Sequence, residues 1–510
     1  MFRANACFIA LVILLPLDVA RGQASLFIPV DDPVYSDIRS AQLRGFLEEL
    51  NPTALPYTYD EVLGALERVE DAEPEHAWLL DRLARLLQPE GALEGFGVSG
   101  RLGARATTNG RLDPVRIREG GEPFFPFLEL GFHWIDGPVI VRAGARQDLY
   151  WDSDPDGLDP VLRLLARNDQ SYIGLSGSRG SVMLGRIGTE WASPGGTGLL
   201  ISDNARSFDA IHIKVGNDKI SLRSMIGELD SITGDGRFTG TAGDDSVSSG
   251  SERRWMSAHR LDWRVSPRLQ ISFMEASLYS GPSSGLSLKY LNPASFLVLG
   301  VDNRPKNDEN NALLAMSVWA RVADWTLEGQ LMLDDYDILS SKEPSSIAAT
   351  LDATTVLSPR WEFRTHFEAV GSRTYNTFQP EGRWTYLDRG IATQYSDYVT
   401  AEARASWLLP EQDLRLEPYV VGLWQGERDL RDAYRFGEDF DAILTGTAER
   451  TIRTAVRAVY SPGHIGYAAV DAGINLQDNL GHVQGASRVR GVLSAEVGLR
   501  WALGSPRKDP

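Results

Sequence analysis

The nonapeptide Trp361-Glu362-Phe363-Arg364-Thr365-His366-Phe367-Glu368-Ala369 alternates without a break. Its odd positions carry Trp, Phe, Thr, Phe and Ala, and its even positions carry Glu, Arg, His and Glu. A β-strand sends successive side chains to opposite faces, so this stretch builds one largely apolar face and one ionisable face. A dry core does not tolerate the second face, whereas a water-filled lumen does. Period and chemistry together predict a strand in the wall of a barrel, oily outside and wet inside.

The pattern spreads in both directions. Trp325, Leu327, Gly329, Leu331 and Leu333 oppose Thr326, Glu328, Gln330 and Met332. Near the C-terminus, Val489, Gly491, Leu493, Ala495, Val497, Leu499 and Trp501 oppose Arg490, Ser494, Glu496 and Arg500. Between 95–108 and 489–501 there are eighteen such segments, most near the ~9–11 residues that a tilted strand needs to cross a bilayer. Short turns (136–138, 217–218, 266–267, 323–324, 358–359, 461–463) alternate with long polar loops (150–169, 188–208, 230–254, 279–310, 335–345, 371–394, 426–448, 477–488). Aromatic residues mark strand ends, Trp134, Tyr150, Trp151, Trp263, Trp319, Trp325 and Trp407 among them, as interfacial girdles require. The expected fold is an all-β transmembrane barrel of about 18 antiparallel strands in the cell outer membrane, with its long loops exposed at the surface.

Residues 1–24 read as a signal peptide, with Arg3 before an apolar core at 8–17 and a small-x-small site at Gly22-Gln23-Ala24. Residues 25–94 read as a small α-helical periplasmic region. Thr58 and Glu61 form a capping box there, and Leu79, Leu83, Leu86 and Leu87 form one stripe. The barrel is expected over 95–503, followed by a short tail at 504–510. Mean hydropathy is −0.22, and beyond the extreme N-terminus no run of eighteen apolar residues offers a spanning helix. The single cysteine, Cys7, lies in the leader, so disulfides, thiol nucleophiles and Cys-bound metals are not expected.

The formal charge of −18 becomes −19 once the leader's two Arg and one Asp are set aside, which argues against a nucleic-acid partner. Solvated loops account for the acidity; cation bridging to an anionic surface polymer is the alternative. No nucleophile elbow, Walker loop, dinucleotide fingerprint or metal-ligand helix is present. His133, His212, His259, His366, His464 and His482 are scattered without metal spacing, and Asp244-Asp245 and Asp334-Asp335 read as loop and strand-end charge. No catalytic residue, metal or cofactor is assigned, and no enzyme is expected.

Binding residues are better candidates. Arg260, Asp262 and Arg264 share one face of a strand opposite Leu261 and Trp263. They form either a structural ladder along the lumen or donors to saccharide hydroxyls and carboxylates. Tyr279 and Tyr290 fall in a long loop, where they stack on sugar rings or pack the loop itself. The 371–394 loop mixes Arg373, Arg383 and Arg389 with Tyr375, Trp384 and Tyr386, aromatic faces beside cationic forks. It serves either polysaccharide binding or loop packing and the interface belt.

The stretch GRIGTEWASPGGTGLLISDNARSFD (185–209) is broken by Pro194-Gly195-Gly196 and Gly198, yet it is too rich in Trp, Leu and Ile for a solvated linker. It is expected to pack inside whatever the strands enclose. Together with SAHRLDWRVSPRLQISFMEASLYSG (257–281) and KYLNPASF (289–296), it resembles the capsule-assembly Wzi family of outer-membrane β-barrels. The resemblance takes in the helical opening IPVDDPVYSDIRS (28–40). It departs at Trp191-Ala192-Ser193-Pro194 and at Ala205-Arg206-Ser207. It implies a non-enzymatic protein, expected as a monomer among outer-membrane lipid, that binds exported capsular or extracellular polysaccharide and helps attach or assemble it at the cell surface. A porin or substrate-specific channel fits the strand count and polar lumen equally, and a barrel hydrolase is the third reading.

Overall fold

A computed structural model describes residues 24–506, apart from 70–72, 92, 158–165, 233–252, 282–283, 298–308, 335–345, 378–379 and 433–440. Asp244-Asp245 and Asp335 lie outside the described residues. Eighteen strands form the wall: β1 Leu93–Thr107, β2 Phe124–Asp136, β3 Val139–Asp148, β4 Ser171–Gly177, β5 Gly180–Arg186 and β6 Asp209–Gly216. Next come β7 Ile220–Glu228, β8 Arg253–Ser266, β9 Leu269–Gly281, β10 Glu309–Val322, β11 Trp325–Leu333 and β12 Ile347–Ser358. The last are β13 Trp361–Val370, β14 Tyr398–Leu409, β15 Leu414–Gln425, β16 Glu449–Tyr460, β17 Gly466–Asp478 and β18 Ser487–Pro506. Each pairs antiparallel with its neighbour in sequence, and β18 returns to β1 through pairs such as Gly100↔Trp501, which closes the barrel and leaves no free edge. All eighteen expected segments form, displaced by a few residues at their ends. The last strand runs to Pro506, so it takes in residues 504–506 that were expected in the tail.

The alternation sorts as the chemistry demands. On β13, Trp361 and Phe367 face outward, while Glu362 and Glu368 are buried inside. On β11, Trp325 and Leu331 are exposed outward, while Glu328, Gln330 and Met332 turn in. The outward-exposed Trp134, Trp263, Trp325, Trp361 and Trp407 all sit close to short turns, which makes a girdle at that end. Trp361 and Trp407 stack there with centroids 5.4 Å apart. Trp319 does not join it: one residue out of phase with outward Met316 and Val322, it points inward opposite Gln270. Tyr150 also turns inward, edge-on to Phe125.

Three helices, α1 Val34–Leu43, α2 Tyr59–Glu67 and α3 Pro74–Gly91, fill the short-turn end. The capping box is complete: Glu61 N–H donates to Thr58 Oγ1 (3.2 Å), and Thr58 N–H donates to Glu61 Oε2 (2.8 Å). Helices this short do not stand alone in water. They bury Val34, Ile38, Val62, Leu79 and Leu83 against one another and against Ile135, Ile140 and Met183 of the wall. Each such side chain contributes roughly 1.5–3 kcal/mol. Ion pairs bolt the unit around the rim: Arg415 to Asp37 (2.9 Å), Arg82 to Asp413 (2.9 Å), Lys214 to Glu61 (2.6 Å) and Arg44 to Glu362.

Candidate functional site: the filled lumen

Arg260 joins three parts of the chain. Its side chain is fully buried, and its Nε donates to Asp262 Oδ1 (2.8 Å). One Nη donates to Ser272 Oγ (3.0 Å) and Thr53 Oγ1 (2.5 Å), and the other to the Trp191 carbonyl (3.3 Å). Asn51 donates to the second Asp262 oxygen (2.8 Å), and Arg264 donates to the Leu50 carbonyl (2.8 Å). The Arg260–Asp262–Arg264 face therefore holds the N-terminal segment and the 187–208 insert to the wall. Nothing in the sequence marks Asn51 or Thr53 as partners, since both lie about two hundred residues away.

The insert packs inside the strands, as its apolar content requires. Trp191, Leu199, Leu200 and Ile201 are buried in a cluster with Met256, Met274, Met332, Tyr375 and Trp384. The 371–394 loop clasps it by backbone carbonyls: Tyr375 O–H donates to Leu199 (2.6 Å) and Trp384 Nε1–H to Leu200 (2.9 Å). Arg389 donates to the Asn204 carbonyl (2.7 Å) and to Asp154 (2.7 Å), and Tyr386 lies edge-on to Phe208. The wall adds Arg254, which donates to the Glu381 and Thr385 carbonyls (2.8 and 3.1 Å). Tyr375 and Trp384 are 0 % exposed, so neither ring offers a face to a sugar; both hold the insert. Tyr386 and Arg373 are buried as well, and Arg383 is half-buried. Within the insert, burial first and then the neighbouring Asp203 push the Glu190 carboxyl well above its ordinary range. Its Oε2 accepts from Asp203 N–H (3.3 Å).

Tyr279 and Tyr290 stand elsewhere. Tyr279 points outward from β9, and residues 284–297, carrying the short helix α4 Leu288–Leu291, fold against the outside of the wall. There the two rings stack on each other, 3.9 Å apart and 9° from parallel. Both are buried, so of the two expected roles they fill the second and pack the loop itself. Beneath this strap lies a polar row on the outer face: Ser257 donates to the Tyr290 carbonyl (2.6 Å), and Glu275 accepts from Leu297 N–H (2.9 Å) and pairs with His259 (3.0 Å). Covering it keeps these groups out of hydrocarbon.

Among the described residues, one space left open is a chamber of about 750 Å³ bounded by α1, the Pro194-Gly195 turn and the inner faces of β12–β18. Charged ladders line it: Arg404 forks onto Glu402 (2.7 and 3.1 Å), Arg364 binds Asp352, and His366 bridges Asp352 (2.9 Å) and Glu368 (3.4 Å). Such walls offer both donors and acceptors to a hydroxyl-rich ligand. Among the described residues the one carboxylate–histidine group with metal-ligand spacing is the exposed Glu73–Glu75–His76 set, far from this chamber in the chain.

Neither a known family model nor a curated relative matches the sequence. Solved structures do. The chain is similar to Wzi, an outer membrane protein involved in group 1 capsule assembly in Escherichia coli and described as a carbohydrate-binding β-barrel. The match has 11 % identity over 95 % of this chain and 100 % of that one, with a TM-score of 0.64. OprD, an outer membrane protein from Pseudomonas aeruginosa, aligns over 82 % of this chain and 96 % of its own, with 10 % identity and a TM-score of 0.45. The chain is an outer-membrane barrel of eighteen antiparallel strands with the fold of Wzi.

Proposed function

We propose that this protein binds exported capsular or extracellular polysaccharide and helps attach or assemble it at the cell surface, without catalysis. One observation supports holding over conducting: the lumen is occupied by the chain itself. Three helices fill one end, and the 187–208 insert, clasped by the 371–394 loop, fills the middle. The fold likeness to a carbohydrate-binding barrel points to the ligand class. In this reading the helical region faces the periplasm, and the long loops face outward. Tyr375, Trp384, Tyr386 and the buried Arg373 brace the 371–394 loop from within, while the half-buried Arg383 supplies its cationic fork.

The test is interferometry with the full chain in nanodiscs against polysaccharide from the producing cells and against neutral dextran. Binding to the first and not to the second is expected, and Arg383→Ala weakens it about tenfold, as loss of one charge-assisted contact of ~1.5 kcal/mol requires. Wild-type protein that binds neither polymer refutes the assignment.

A further inference from the structure

Several of the chamber's carboxylates are ion-paired, and one of its guanidiniums is not. Asp32 pairs with Arg500 (2.8 Å), Glu402 and Glu417 with Arg404 (2.7 and 3.5 Å), and Glu362 with Arg44. Arg39, on the chamber side of α1, makes one side-chain hydrogen bond, from Nη2 to Thr354 Oγ1 (2.6 Å), and has no ion-pair partner among the described residues. Arg364 faces it from β13. Both guanidiniums converge on Gly195: a Cβ placed there would lie 3.4 Å from Arg39 Nη1 and 3.8 Å from Arg364 Nη1. Gly195 has φ +76°, a conformation that side chains disfavour, and its bare Cα leaves the approach to both forks open. Burial and then the facing Arg364 lower Arg39 to about 10, against the opposing pull of Asp352 and Glu362.

The Arg39 fork and Nη1 of Arg364, whose other edge is held by Asp352, converge on one point and match a carboxylate, which accepts from both. The surrounding walls of alternating acids and guanidiniums suit a hydroxyl-rich ligand. We propose that the chamber is a binding site for an acidic sugar, its carboxylate seated between Arg39 and Arg364 at Gly195. This rests on the saccharide-binding role above and names a subsite for it, inside the barrel and apart from the outer loops.

Calorimetry on the full chain in detergent tests it with digalacturonate, with maltose and with inorganic phosphate as separate titrants. Wild type binds digalacturonate at least tenfold more tightly than either of the others. Arg39→Gln loses that preference and Arg39→Lys keeps part of it, because an ammonium supplies charge without the fork. Gly195→Ala, which places a methyl in the gap, weakens digalacturonate binding with Arg39 intact. A heat-modifiable folded band on gels confirms that each variant retains its barrel. Equal affinity for maltose, phosphate binding as tight as digalacturonate, or unchanged affinity in folded Arg39→Gln each overturns the site. Those results leave polymer binding by wild type untouched, so failure of the chamber and failure of the proposed function are distinguishable.

Discussion

Replacing Arg260 by Ala should release the insert and the N-terminal segment together. The side chain is fully buried and makes bonds to Asp262, Ser272, Thr53 and the Trp191 carbonyl. Removing one partner of a buried ion pair costs about 3–5 kcal/mol, because the remaining carboxylate stays desolvated. Asp262 keeps donors from Asn51 and Ser272, which places the expected loss near the lower figure. About 3 kcal/mol is roughly a hundredfold or more in an opening equilibrium. Hydrogen exchange followed by mass spectrometry should therefore show peptides over 47–57 and 187–201 exchanging some hundredfold faster, while peptides from β14–β18 do not change. Arg260→Met with Asp262→Asn should be milder than the sum of the single changes, as neighbours in one network couple by ~0.5–3 kcal/mol. Exchange within threefold of wild type in both peptides would refute the idea that Arg260 ties plug to wall.

Trp384→Ala removes a buried indole and leaves the Leu200 carbonyl unpaired, a loss of about 3–5 kcal/mol, and bilayer recordings should show brief current steps absent from wild type. The Glu190 prediction follows from linkage. Its folded pKa lies above the unfolded value of about 4.3, so the stability it contributes is whole below that value and declines as pH rises toward the folded one. Protection of 187–201, corrected for intrinsic exchange, should weaken from pH 5 to pH 9, and Glu190→Gln should flatten the dependence; an unchanged slope in the variant would count against it. Thr58→Ala removes the side-chain half of the capping box and should destabilise α2 by ~1 kcal/mol, with Thr58→Ser restoring most of it in a thermal melt.

The wall was legible because a period of two with opposite chemistries on its faces has one good solution. Trp361 and Glu362 are neighbours in sequence and stand on opposite sides of the wall. The capping box was legible because its two bonds span three residues. The plug's partners were not: Arg260 meets Thr53 across 207 residues and Tyr375 meets Leu199 across 176, and short polar residues carry no mark of a distant partner. The strap left a sign that the face rule makes visible in retrospect. Ser257 and His259 share the outward face of Leu261 and Trp263, and a polar pair on a lipid face requires a cover. The aromatic residues of the 371–394 loop were legible as a cluster but not in direction, since a ring that stacks on a sugar and one that braces a plug look alike in sequence. Arg39 was missed because its helix reads as amphipathic whichever wall it faces.

Planar-bilayer recording of the purified wild-type protein tests most directly whether the lumen holds rather than conducts. A filled barrel shows no steady single-channel opening across the voltage range, with steps emerging only in variants such as Trp384→Ala. Large, stable, ohmic steps from the wild type would contradict the account and make the barrel a channel.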